Sequence, residues 1–172
     1  MKHIHYLFII GLFLFSCQHY KSEKINEEHI SSVSSDDEAI NKIIEEARTT
    51  SNSFYEKAFN PANDEVGFCV KFPFDTDSNE ESTKEHIWLN SIFKDNDIFY
   101  GIVANDPLHI KNMSLGDTVK FEPKLISDWM YIKNDYLIGG KSLILFIEDM
   151  TTDERKEILS QLGFKIKEFE ND

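Results

Sequence analysis

The chain has 172 residues, of which 31 are Asp or Glu and 18 are Lys or Arg, so its formal net charge is -13. Nucleic acids and anionic lipid surfaces bind through clustered Lys and Arg, and this charge balance argues against both as partners. Solubility is the simplest explanation of such acidity, and a basic protein partner is compatible with it.

The first 16 residues have the pattern of an export signal. Lys2 and two histidines precede an apolar run from Leu7 to Phe15, which is followed by Ser16 and Cys17. A basic start, a short apolar segment and a small residue at the cleavage point are typical of signal peptides. The run has only about half of the roughly twenty apolar residues that span a bilayer, which argues against a transmembrane anchor.

The end of this segment resembles a bacterial lipoprotein signal through Leu14, Ser16 and Cys17. The resemblance implies that Cys17 is the lipid-modified first residue of the mature protein and that the lipid attaches it to the cell envelope. Phe15 is bulkier than the residue usual at its position, so uncleaved anchoring and ordinary secretion stay open as alternatives. Gln18 is not the aspartate that resembles an inner-membrane retention signal, which favours the outer membrane.

The rest of the chain divides into a tether and one domain. Residues 17–35 are polar and lack periodicity, which indicates a flexible tether from the lipidated Cys17. Residues 36–172 are enough for a single domain with its own core and too few for two. Because Cys17 is expected to carry lipid, Cys69 has no partner for an internal disulfide.

Residues 35–60 have the pattern of one long amphipathic helix. Ser35 and Glu38 form a capping box, and Asn60-Pro61 marks the end. Between them, apolar or small residues recur at three- and four-residue spacing, at positions 40, 43, 44, 47, 51, 54, 55 and 58. This apolar stripe needs a partner surface.

From Val66 onward, short apolar segments alternate with turns rich in Gly, Pro, Asn and Asp, which is typical of antiparallel strands. Cys69 and Lys71 lie on the face of the first strand that alternation predicts to meet solvent. Several later segments are apolar on both faces, so they are covered by helices or by a sheet that curls on itself. The predicted strands are residues 66–74, 86–93, 98–104, 118–121, 129–133 and 142–148.

The C-terminal part begins with a second capping box, Thr151 to Glu154, which opens a short helix that Gly163 can end. Phe164–Lys167 alternates like an edge strand. The predicted fold class is therefore α+β: a long N-terminal helix packed on a curved antiparallel sheet, barrel-like in one version, with a short C-terminal helix.

A set of motifs resembles the uncharacterised bacterial family called domain of unknown function 2314. The resemblance covers roughly residues 39–146 and implies a small mixed helix-and-sheet domain without assigned catalytic residues. The motifs that carry it are Ala47-Arg48-Thr49, His86-Ile87-Trp88-Leu89, Asn105-Asp106-Pro107, Gly116-Asp117-Thr118-Val119, Ile126-Ser127-Asp128-Trp129-Met130-Tyr131 and Gly139-Gly140.

The segment Asp128–Tyr131 is the candidate ligand or partner surface. If it is extended, Trp129 and Tyr131 share one face, and such rings suit binding hot spots. The functional hypothesis is a groove floored by these rings and rimmed by Asp128, with Gly139, Gly140 and Asn105 nearby. The structural alternative is that Trp129 fills the core and Asp128 caps backbone N–H groups of a neighbouring turn.

The sequence gives only weak support for a catalytic site or a metal site. His86 and His109 are isolated and lack metal-ligand spacing with Cys69. Cys69, or Ser127 with His109 and Asp128, could act as a nucleophile, but no nucleophile signature surrounds them. The sequence therefore favours a non-enzymatic binding module without a cofactor or metal. An envelope hydrolase, or an acidic neutraliser of a basic protein, remains as the alternative.

Overall fold

A computed structural model describes residues 38–77 and 84–170. The predicted signal peptide, Cys17, the tether and the Ser35 cap lie outside these residues. Helix α1 spans Glu38–Phe59, and its end just before Asn60-Pro61 confirms the sequence prediction. Ala47, Ser51, Phe54 and Tyr55 form its buried stripe. Among the described residues, no helix combines the length and the apolar character needed to cross a bilayer.

The described strands form one six-stranded antiparallel sheet in the order β4-β3-β2-β1-β5-β6. This order leaves β4 and β6 at opposite edges, so the sheet is open rather than a closed barrel. The strands are β1 Glu65–Asp75, β2 Lys84–Asp95, β3 Ile98–Val103, β4 Thr118–Phe121, β5 Asp128–Lys133 and β6 Tyr136–Gly139.

Two tight hairpins join neighbouring strands, each within one of the turns rich in Asn and Asp that separate the predicted strands. Asn96-Asp97 connects β2 to β3, and Asn134-Asp135 connects β5 to β6, with positive φ at all four residues. Asn and Asp tolerate this left-handed conformation better than other non-glycine residues, and it matches the twist of paired strands. The second hairpin creates β6, which the sequence analysis missed.

Residues 142–148 were predicted as a strand, and this prediction is wrong. Helix α2 occupies Lys141–Glu148, directly after Gly139 and Gly140, whose φ angles of 75° and 65° turn the chain away from β6. A short run that is apolar on all sides carries no period that separates a buried strand from a buried helix. Tertiary contacts at the start of α2 decide between them.

The C-terminal helix confirms its predicted start. α3 spans Thr152–Gln161, and both hydrogen bonds of the Thr151–Glu154 capping box are present. The predicted edge strand at 164–167 is reduced to a single parallel bridge between Tyr136 and Lys165, followed by a 3₁₀ turn at Lys167–Phe169. These segments pack against the open side of β6.

Helices cover both faces of the sheet. α1 lies on the face that carries Val70, Ile87 and Tyr131, where aromatic side chains dominate the core. On the other face, Ile147 of α2 packs with Leu137, Ile166 and Phe169. Cys69 is buried on this second face, so the expectation that it meets solvent is wrong. Its cross-strand neighbour Met130 packs against the cluster that α2 and the C-terminal segment form there.

Candidate functional site

Trp129 and Tyr131 point to the α1 face of the sheet. The Trp129 ring stacks on Phe54 at 5.3 Å between centroids, and its Nε1 donates a 2.8 Å hydrogen bond to Thr50 Oγ1. Tyr131 is buried and stacks on Phe68 at 4.9 Å. Tyr131 therefore belongs to the core, whereas Trp129 is half-buried.

Asp128, the preceding residue, points to the opposite face and is buried rather than at a rim. Its carboxylate accepts hydrogen bonds of 2.8 Å from the backbone N–H groups of Trp129 and Ser142. Ser142 is the second residue of α2, so Asp128 satisfies one of the N–H groups that the first turn of a helix leaves unpaired. This arrangement is the capping role that the structural alternative assigned to Asp128.

Gly139 and Gly140 bring the backbone against Trp129. A Cβ atom at position 139 would lie 2.3 Å from the carbonyl oxygen of Trp129 and 2.6 Å from its ring. The N–H of Gly140 donates to that same carbonyl oxygen at 2.8 Å. Both glycines are thus required by close approach and positive φ. Asn105 lies apart: its side-chain oxygen accepts the backbone N–H of Trp88, which ties the segment after β3 to β2.

A narrow cleft opens between α1 and the junction of β6 with α2. Its volume is about 90 Å³. Asp128, Trp129 and Gly139 contribute to its wall, so the structure brings together three of the six residues that the sequence singled out for a binding surface. We call it the Trp129 cleft, lined by Ile43, Glu46, Ala47, Thr50, Asp128, Trp129, Gly139 and Lys141.

Lys71 forms a polar network beneath α2 that the sequence analysis did not anticipate. Its Nζ lies 3.3 Å from Ser142 Oγ and 5.5 Å from the centroid of the Trp88 ring. Burial lowers the pKa of Lys71, and the nearby Asp128 carboxylate opposes that shift. Burial also raises the pKa of Asp128, against its hydrogen bonds from Ser142 and Trp129. The alternation of β1 places Lys71 on the same face as Cys69. The sequence does not show that α2 covers this face.

The side chains of His86 and Ser127 are in contact at the start of β5. His86 Nδ1 lies 2.8 Å from Ser127 Oγ, and the Ser127 hydroxyl is also 3.1 Å from the carbonyl oxygen of Lys71. Burial, together with the positive charges of Lys71 and Arg48, lowers the pKa of His86 to about 4. At neutral pH the imidazole is therefore uncharged.

Arg48 of α1 completes this end of the site. Its Nε donates to the carbonyl oxygen of Ile126 at 3.3 Å, one residue before Ser127. Residues that are far apart in the sequence, at 48, 86 and 126–129, thus meet around the start of β5. These residues lie in the sequence motifs given above, but His86 is isolated in the sequence and gains its partner only through strand register, which decides which segments become neighbours.

The other sequence candidates for chemistry are not brought together. His86 is paired across the strands with Pro73, four residues along β1 from Cys69, which is about 13 Å of strand. His109 is exposed, and its backbone N–H bonds to Glu85 instead. Within residues 38–77 and 84–170, no group of three or more His, Cys, Asp or Glu residues is placed to hold a metal ion.

A wider groove lies on the opposite flank of α1 from the Trp129 cleft. Its volume is about 500 Å³, within the range of small-molecule sites. Three rings, Tyr55, Phe59 and Phe99, give it an aromatic wall. We call it the aromatic groove, lined by Ser51, Asn52, Tyr55, Glu56, Phe59, Asn60, Phe99, Pro123 and Lys124.

The chain is similar to two curated bacterial proteins. It is 29% identical over 127 residues to the Escherichia coli "Uncharacterized protein YegJ", covering 74% of this chain and 79% of that protein. It is 31% identical over 125 residues to the Neisseria meningitidis "Putative ankyrin repeat protein NMB1133/NMB1171", covering 70% of this chain. That match spans only 49%, about half, of the Neisseria protein.

No solved structure matches the chain. The family model described as "Uncharacterized protein conserved in bacteria (DUF2314)" matches residues 37–166. The match extends past residue 146, the limit expected from the motifs, so α2 and α3 lie within the family domain. The chain therefore belongs to the uncharacterised bacterial family DUF2314.

Proposed function

We propose that this protein is a lipid-anchored module of the bacterial cell envelope that binds a protein partner at the Trp129 cleft. The observation that carries the proposal is the half-buried Trp129 ring in the wall of a concave site beside an exposed helix. Tryptophan in such a setting is the residue type most enriched among binding hot spots.

The size of the cleft favours a protein partner over a metabolite. Small-molecule sites usually enclose about 300–1,000 Å³, whereas this cleft has about 90 Å³, room for one inserted side chain. Residues on either side of it can extend the contact. Glu46 and Lys141 form an exposed 2.5 Å ion pair that lines the cleft, and Ile43 adds half-buried apolar surface. An apolar anchor with a polar border is the usual anatomy of a protein interface.

One relative supports a role in protein binding. The Neisseria protein bears the name of an ankyrin repeat protein, and repeat proteins of that architecture present extended binding surfaces. A DUF2314-like stretch there belongs to a chain about twice as long as the matched part. A module that recognises proteins would fit such a combination.

Site-specific photo-crosslinking in living cells tests the binding surface. A benzophenone amino acid replaces Ile43 or Lys141, which line the cleft, or Lys156, an exposed control on α3. We expect the same protein adduct from positions 43 and 141 and none from 156. The purified partner should then bind the Ile43→Ala variant at least several-fold more weakly than the wild type. No adduct, or equal adducts at all three positions, would contradict the proposal.

The membrane anchor has its own test. We expect the wild-type protein to incorporate a labelled fatty acid and to sediment with membranes. Cys17→Ser should abolish the label and release the protein from the membrane fraction, whereas Cys69→Ser should leave the label in place. Labelling that survives Cys17→Ser would refute lipidation at this residue.

A second candidate function is hydrolysis, favoured by the 2.8 Å contact between Ser127 Oγ and His86 Nδ1. A serine hydroxyl beside a neutral imidazole is the arrangement that activates a nucleophile. The serine side chain is buried, however, and its hydroxyl also contacts a backbone carbonyl oxygen. A fluorophosphonate probe that labels the wild type but neither Ser127→Ala nor His86→Gln would establish this activity, and absence of labelling would leave the binding role.

A further inference from the structure

The aromatic groove is separate from the Trp129 cleft and shares no lining residue with it. Residues 43, 46 and 50 of α1 face the cleft, whereas 52, 56 and 59 face the groove. At 100° per residue these two sets lie on opposite flanks of the helix. A ligand in the groove therefore need not contact the proposed partner surface.

The aromatic rings of the groove form a continuous surface. Tyr55 and Phe99 meet edge to face at 5.0 Å between centroids, Phe59 lies 5.8 Å from Phe99, and Tyr55 lies 6.3 Å from Phe59. Phe59 is 39% exposed, so part of this surface meets solvent. The faces of aromatic rings carry partial negative charge, so ring surfaces of this kind attract cations.

Two carboxylates near the groove and the acidity of the whole chain would attract a cation, whereas Lys124 opposes it. The whole chain carries a net charge of -13, which raises the local concentration of positive ligands. Glu56 lines the groove. The Glu122 carboxylate lies close enough to Tyr55 to add to the effect of burial, which raises the pKa of its phenol. Lys124 is the basic residue among the lining residues, and it is exposed.

One ring of the groove already holds a cation from the chain itself. Lys94 Nζ lies 5.7 Å from the centroid of Phe99 and forms a 2.6 Å ion pair with Asp97. Lys94 is not among the lining residues, so it reaches the ring from outside the groove. Tyr55 and Phe59 are the other two rings that line the groove.

We propose that the aromatic groove is a binding site for a small organic cation of the quaternary ammonium class. Methyl groups around such a cation contact the rings, and its diffuse charge is weakly hydrated. It therefore loses less on leaving water than a primary ammonium group does. The volume of about 500 Å³ accommodates a small molecule without a protein partner.

Choline and its uncharged isostere 3,3-dimethylbutan-1-ol provide the test, because they differ in charge and hardly in shape. Both are titrated into the full-length protein while the aromatic NMR resonances of Phe59 and Phe99 are followed. We expect saturable shifts with choline at millimolar concentrations and binding of the neutral isostere about 5- to 30-fold weaker. Equal binding of both would show an apolar groove without cation selectivity and would overturn the proposal, as would the absence of saturable shifts.

Two variants with matched exposure locate the site. Phe59→Leu should weaken choline binding several-fold, whereas Phe146→Leu, which alters a ring of nearly equal exposure on α2, should leave it unchanged. Glu56→Gln should weaken it by a smaller factor. Tighter binding of Nα-acetyl-lysine amide than of choline would overturn the assignment to quaternary ammonium ligands. No protein partner enters these measurements, so they can fail or succeed independently of the Trp129 cleft.

Discussion

The two faces of the sheet differ most where adjacent residues of β5 point in opposite directions. Trp129 enters an aromatic layer under α1, where Phe54 and Tyr131 stack on it. Asp128 enters a polar network under α2 with Ser142 and Lys71. The first face depends on volume and shape, and the second on paired hydrogen bonds and charges. The same alternating strand therefore supports two kinds of interior, and each should fail in its own way.

The α1 face should be most sensitive at its tightest contact. Gly139→Ala places a methyl group 2.3 Å from a backbone oxygen and against the Trp129 ring, at a φ of 75°. We expect the free energy of unfolding in urea to fall by more than about 3 kcal/mol.

Gly116→Ala is the matched control, because Gly116 also has a positive φ, but no atom of the described residues lies within 4 Å of a Cβ added there. It should lose only about 1 kcal/mol. Equal losses in the two variants would show that φ, rather than contact with Trp129, governs position 139.

The α2 face should respond to the removal of a charge. Asp128→Ala leaves the Ser142 N–H without its acceptor and the buried Lys71 ammonium without the nearby carboxylate charge, and we expect a loss of about 3 kcal/mol in the free energy of unfolding. Lys71→Met keeps the packing of the side-chain stem and should cost less.

The double variant tests whether the two charges act together. The double variant should lose less free energy of unfolding in urea than the sum of the two single losses, because each single change leaves the other charge buried. Additive losses would mean that Lys71 and Asp128 are energetically independent. Asp128→Asn, which retains one acceptor oxygen, should fall between the wild type and the alanine variant.

The stability of the protein should depend on pH through His86. The pKa of His86 is lowered from 6.5 to about 4 in the folded protein, so the unfolded chain binds its proton first as the pH falls. The free energy of unfolding should therefore fall as the pH drops from 6.5 toward 4, by at most about 2 kcal/mol for this half-buried group, and should stay level above pH 6.5.

The difference between wild type and His86→Gln isolates this contribution from the carboxylates that titrate in the same range. A profile for His86→Gln that parallels the wild type would contradict the lowered pKa.

The smallest effect concerns the polar tip of Trp129. Thr50→Val removes the acceptor of its 2.8 Å hydrogen bond with little change in volume and should cost about 1 kcal/mol. Thr49→Val is the control, because the Thr49 hydroxyl bonds to a carbonyl oxygen of its own helix and is exposed. Equal effects of the two variants would make the bond to Trp129 energetically negligible.

Local patterns predicted much of the fold. The stripe of α1, the strands β1 to β5, the two Asn-Asp turns and the capping box at Thr151 all depend on spacing within a few residues. Residues 142–148 could not be assigned in this way, because a uniformly apolar run suits a buried strand and a buried helix equally. Asp128 and the positive φ of Gly140 settle the helix from outside the run.

The candidate site was predicted only in part. Trp129, Asp128 and Gly139 were named from the sequence, and all three line one cleft. Tyr131 was expected beside them on a surface but is buried in the core, because alternation places two rings on one face without stating how deep that face lies. The contacts of Lys71 with Ser142 and of His86 with Ser127 join residues 71 and 41 positions apart, which no local pattern encodes.

The sequence by itself determined the acidity, the long amphipathic helix, most strands with their tight turns, and the motifs of the DUF2314 family. These follow from charge, periodicity and turn chemistry, which act over short stretches of chain. Only the tertiary structure decided that α2 is a helix, which face of β1 it covers, and that the cleft and the groove flank α1. Those outcomes depend on strand register and helix packing, where distant residues compete for the same buried surface.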